Sequence, residues 1–164
     1  MLRRTALAAL ASAAAGGSLS ALNNREPAPR FNATTLDGEK FTNDSVKGKV
    51  VLLQFWATWC QYCRRDQPAV DSIVHDFGNK LVVLAVDVGE SKKKVRQYLE
   101  DSPRACKIVL TENTNLAAIY AAKSFPLYVA IDKDGNIAGT QRGAGGEDSL
   151  RRLLKKAGLD AESE

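Results

Sequence analysis

The stretch "WATWCQYCRRDQP", Trp56 to Pro68, sets two of the chain's three cysteines two residues apart, directly after both tryptophans. Such a pair can ligate a metal, staple a fold or carry redox chemistry. A metal site would need further ligands, and Cys106 and the single His75 have no zinc-like spacing to the pair. A staple this short closes a four-residue loop and removes little chain entropy. Redox chemistry suits the context best. The run "VVLLQF", Val50 to Phe55, predicts a strand buried on both faces. A helix then starts around the pair, with Ala69, Val70, Ile73, Val74 and Phe77 at helical spacing. Cys60 would stand at that helix N-terminus, where free N–H groups and the helix dipole stabilise a thiolate. Cys63, one turn on, could resolve a mixed disulfide formed at Cys60. Pro68 falls inside this helix and cannot donate to the Arg64 carbonyl, which predicts a kink.

Outward from this centre, strands and helices alternate. "FNATTLDGEKFT" reads as a hairpin turning at Asp37-Gly38, "LVVLAV" (81–86) as a second buried strand, and Ser91 as the cap of a helix facing inward through Val95, Tyr98 and Leu99. "CKIVL" predicts a strand, Leu116 to Tyr120 a short helix, and "PLYVAIDKDGNIAGTQR" two strands joined at Asp134-Gly135. Leu150, Leu153, Leu154 and Ala157 mark a last helix that Gly158 can end. Helical crossovers between strands imply parallel pairing, and the late hairpin adds an antiparallel edge.

The 164 residues suffice for one domain, and a 45% hydrophobic fraction for an ordinary core. The net charge of +4, half of it from Arg3 and Arg4, gives no reason to expect nucleic acid. The opening "MLRRTALAALASAAAGGSLSALNN" has a basic start, an Ala/Leu core and small residues near Ser20, the pattern of a signal peptide. An uncleaved anchor and an organellar transit peptide are its alternatives. Residues 1–20 are therefore read as the export signal, 21–30 as a linker, 31–158 as the folded domain and 159–164 as an acidic tail. Export would place the thiols where they can be oxidised.

From about Ala28 to Gly158 the chain resembles the exported TlpA/ResA-like branch of the thioredoxin superfamily. The resemblance is carried by "APRFNATTLDGEKF", "GKVVLLQFWATWC", "AVDVGES" and "PLYVAIDKDGNI". It implies an α/β thioredoxin fold, a central mixed β-sheet flanked by helices with an added N-terminal β-hairpin. It also implies a dithiol–disulfide site of Cys60 and Cys63, with Pro126 as a cis-proline facing them. Glu90 matches the branch's active-site glutamate, with Asp87 as the competing carboxylate. Trp59, Gln61, Tyr62 and Phe125 would line the substrate groove. Three departures stand out. Gln61-Tyr62 fills a dipeptide that often contains proline, Gln54 replaces the buried aspartate of thioredoxin, and Phe125 with Leu127 makes the edge at Pro126 more apolar.

Several residues have ordinary structural readings. Cys106 reads as a small buried hydrophobe, His75 as solvated, and Lys92–Lys94 with Arg96 as a basic helix face that could double as a docking patch. The expected function is an exported, bacterial periplasmic thiol:disulfide oxidoreductase, monomeric, with no cofactor and no metal. Its partners would be protein thiols and disulfides and a membrane thiol-reductant donor, and only an uncleaved N-terminus would touch the membrane. The preferred direction is reduction of exported proteins, apocytochrome c included. A disulfide-donating oxidase and a copper-delivery protein are the rivals, the latter lacking its CxxxC pair and distal histidine.

Overall fold

The computed structural model describes residues 25–160, so the signal peptide read over residues 1–20 lies outside them. The strands are β1 (Asn32–Thr35), β2 (Lys40–Thr42), β3 (Val50–Trp56), β4 (Leu81–Asp87), β5 (Lys107–Thr114), β6 (Leu127–Ile131) and β7 (Ile137–Arg142). The helices are α1 (Gln61–Phe77), α2 (Lys92–Asp101), α3 (Leu116–Ile119) and α4 (Gly146–Lys156). They form one seven-stranded sheet in the order β2-β1-β5-β4-β3-β6-β7. β3 and β4 run parallel from Val50↔Leu81 to Trp56↔Asp87, and β4 is parallel to β5. β6 and β7 extend the sheet antiparallel beyond β3, and the β1–β2 hairpin extends it antiparallel beyond β5.

β3 is apolar almost throughout because both its faces are covered. All seven of its residues are buried. Val50, Leu52 and Trp56 pack with Val70, Ile73 and Phe77 of α1 and with Leu150 and Leu154 of α4. The alternate residues Val51, Leu53 and Phe55 point to the opposite core of Phe31, Leu116 and Ala122. Trp56 is held between Tyr98 and the Arg104 guanidinium, which lies 3.6 Å from its ring centre. α1 continues through Pro68 to Phe77.

Two boundaries differ in detail from the sequence reading. At the end of the stretch read as linker, Glu26 and Ala28 bond through the backbone to Ile137 and Gly135, and Arg25 pairs with Asp132. Past Gly158, Leu159 is buried in the core and Asp160 pairs with Lys155. Packing therefore runs beyond both edges of the 31–158 span.

One buried polar group ties α1 to α4. Asp66 accepts the Tyr128 hydroxyl at 3.1 Å and the N–H groups of Gly145 and Gly146 at 3.2 and 3.0 Å. Gly146 has φ +71°, a conformation that turns these amides inward and that glycine adopts without strain. Gln54 donates to the same Tyr128 hydroxyl at 3.4 Å. Asp66→Ala should strip three donors of their acceptor at once. We expect a loss of about 3 kcal/mol, read as a lower urea midpoint at unchanged slope.

Candidate active site

Cys60 and Cys63 are joined in a disulfide with their Cα atoms 5.3 Å apart. Cys60 is the N-cap of α1, in extended conformation, and its sulfur accepts the Cys63 N–H at 3.1 Å. Ordinary N-caps supply an oxygen to this amide; here a reactive sulfur takes that position, so the helix end that needs an acceptor also carries the chemistry. Cys60 is 4% exposed and Cys63 fully buried, so the approach is to the Cys60 side.

The peptide between Phe125 and Pro126 is cis. β6 starts at the next residue, and its register sets Leu127 opposite Phe55, which brings Pro126 to the sheet end where β3 delivers the cysteines. Trp59 and Phe125 meet edge to face with ring centres 5.9 Å apart. Trp59 is 64% and Tyr62 50% exposed, and Gln61 is exposed beside them. The structure thus gathers Trp59, Gln61, Tyr62, Phe125 and Pro126 at the sheet end that carries the disulfide.

The carboxylates sort differently from that reading. The loop after β4 turns at Gly89, with φ +84°, and sits beside the Trp56–Thr58 segment, where the Val88 N–H bonds the Trp56 carbonyl. Glu90 accepts the Thr58 N–H and hydroxyl, both at 2.7 Å, and pairs with Lys94 at 2.5 Å. Burial alone would raise the Glu90 pKa, but bonds from Asp87, Lys94 and Thr58 outweigh it and hold it at about 2. Glu90 is therefore an ionised anchor for the loop that carries Cys60. Asp87 has the opposite surroundings. It is fully buried, its Oδ1 accepts the Glu90 N–H at 3.2 Å, and its Oδ2 has no hydrogen-bond partner. Burial, then the adjacent Glu90 carboxylate, push it up to about 8. Asp87 is the group poised to hold or release a proton near neutrality.

The sequence reading missed Thr58, Lys94 and Asp66. Asp66 follows Cys63 by three residues on the face that continues through Val70 and Ile73, a spacing that marks it as inward-facing. Nothing local marks Thr58, whose partner lies 32 residues away. Cys106 is buried, as the sequence reading had it, and its thiol is pushed up to about 11, mainly by desolvation. His75 is exposed. Among the described residues no cluster of His, Cys, Asp or Glu could hold a metal, and no helix is long and apolar enough to cross a membrane.

A CxxC disulfide that caps the helix after a central strand, with a cis-proline at the same sheet end, defines the thiol:disulfide oxidoreductases of thioredoxin fold. This chain is one of them. It belongs to the AhpC/TSA family, whose model matches residues 25–140. Thioredoxin-like protein YneN of Bacillus subtilis is 36% identical over 115 residues, covering 68% of this chain and 67% of the relative. Thiol-disulfide oxidoreductase ResA of Bacillus cereus is 28% identical over 130 residues, covering 79% and 75%. Among solved structures, a thiol:disulfide interchange protein of the thioredoxin family from Chlorobium tepidum superposes with a TM-score of 0.71 at 26% identity, over 81% of this chain and 96% of that one.

Proposed function

We propose that the chain is an exported reductase of protein disulfides, acting as a monomer in the bacterial periplasm and supplied with electrons by a membrane thiol donor. Disulfides of exported proteins are its substrates, the thiol pair of apocytochrome c before haem attachment among them. The observation that carries this reading is the disulfide capping α1 beside cis-Pro126 and two water-exposed aromatics. In the reduced protein the Cys60 thiolate attacks a substrate disulfide, and one substrate sulfur leaves as a thiol. The Cys63 thiolate then attacks the Cys60 sulfur and releases the second substrate thiol. Two electrons pass to the substrate, and the donor dithiol restores Cys60 and Cys63. The proton that Cys63 must lose has an acceptor in ionised Asp87, with Glu90 fixing the loop between them. The backbone at Pro126 offers an edge along which an extended substrate can pair.

The couple's potential, measured against glutathione, tests the direction. A value near about −270 mV, with catalysis of insulin-disulfide reduction, is expected. A value near about −120 mV would instead make the chain an oxidase.

A further inference from the structure

Trp59 and Tyr62 are the large apolar side chains left open to water among the described residues, and both adjoin Cys60. The charges around them are mainly positive. Arg64 and Arg65 are exposed on the first turns of α1, and the Arg65 guanidinium lies 5.0 Å over the Tyr62 ring. Lys92, Lys93 and Arg96 are exposed on α2. That helix starts at Lys92, two residues after Glu90, whose carboxylate is bonded to Thr58, two residues before Cys60. Among the described residues none of these five cations has a carboxylate partner. Three acids around the disulfide are not open to a docking segment: Glu90 is bonded to Thr58 and Lys94, Asp66 to Tyr128 and the Gly145 and Gly146 amides, and Asp87 is fully buried. The rim is thus aromatic at its centre and cationic on two separate helices, with exposed Glu100 the acid that shares the α2 surface with Lys92, Lys93 and Arg96.

We propose that the segment docking at Cys60 is acidic: an extended stretch of a partner protein whose reactive cysteine is flanked by aspartate or glutamate. An apolar neighbour of that cysteine would rest on Trp59 and Tyr62. The carboxylates on one side would face Arg64 and Arg65, and those on the other the first turn of α2. Unpaired cations need no desolvation of an existing ion pair before meeting such a partner, so they raise the encounter rate in a salt-dependent way. This proposal rests on thiol–disulfide exchange at Cys60 and names the substrate class for it.

Three peptides of one sequence test it, each blocked at its cysteine as the 2-pyridyl disulfide, with flanking Glu, Gln or Lys. They are mixed with the reduced protein, and release of 2-thiopyridone is followed. The Glu peptide should react at least about tenfold faster than the Lys peptide at low salt, with the Gln peptide between and the gap closing at high salt. Arg64→Glu/Arg65→Glu should bring the Glu-to-Lys rate ratio close to one or below it. Lys92→Glu/Lys93→Glu, on a different helix, should lower the same ratio. Equal rates for all three peptides, or a ratio that neither variant moves, would overturn the acidic-substrate assignment while leaving exchange intact. If no peptide reacts faster than it does with free dithiothreitol, exchange at Cys60 itself fails, and the assignment with it.

Discussion

Cys60→Ser should abolish disulfide exchange, a loss of at least about a thousandfold, while Cys63→Ser should still attack and then stall as a mixed disulfide. The asymmetry comes from the helix start. Cys60 caps α1 and receives the Cys63 N–H, so a thiolate at that atom gains a hydrogen bond and the positive end of the helix dipole. Cys63 lies one turn inside and has no exposed surface. It is therefore the sulfur that attacks its neighbour rather than a substrate. Incubating each variant with an oxidised protein and resolving the products on a non-reducing gel checks this. Covalent complexes should accumulate with Cys63→Ser alone, and their accumulation with Cys60→Ser would reverse the roles.

The second large effect belongs to Asp87. The wild-type rate of substrate release should titrate with a group near pH 8, and Asp87→Asn should remove that limb and slow release by about tenfold or more. Glu90→Gln should act differently. It deletes the carboxylate that helps raise Asp87 and loosens the Thr58 anchor, so the limb should move to lower pH rather than vanish. A profile unchanged in Asp87→Asn would remove the proton-accepting role.

Stability reports the same pair independently. The folded state keeps a proton on Asp87 that the unfolded chain releases above about 3.8. That contribution is whole below pH 3.8 and is lost as pH rises to about 8. Asp87→Asn should therefore be relatively more stable at pH 9 than at pH 4, by on the order of 2–4 kcal/mol. Glu90 works in the other direction. Its depressed pKa gives stability present above 4.5 and lost as pH falls towards 2. Urea titrations at several pH values separate the two slopes.

Much of this was legible without coordinates, because it is written in local chemistry. The uninterrupted apolar runs at 50–55 and 81–86 mark strands covered on both faces, and they pair in parallel at the centre of the sheet. The cysteine spacing and the helix periodicity behind it are likewise short-range patterns, and together they locate the redox pair and its helix, whereas the cis-proline edge at Pro126 was implied by the family resemblance. Gln54 was also visibly unable to titrate. The sequence could not say which carboxylate would replace it. Asp87 and Glu90 stand three residues apart, one ending β4 and the other in the loop after it, and spacing alone does not rank their proton affinities. What separates their proton affinities is a fold-level placement. Glu90 reaches the Thr58 amide and hydroxyl across 32 residues and meets Lys94, while Asp87 is left at the end of β4 with one oxygen buried and unpartnered. A carboxylate's proton affinity is set by the donors and water around it, and those are supplied by distant segments only once the chain has folded.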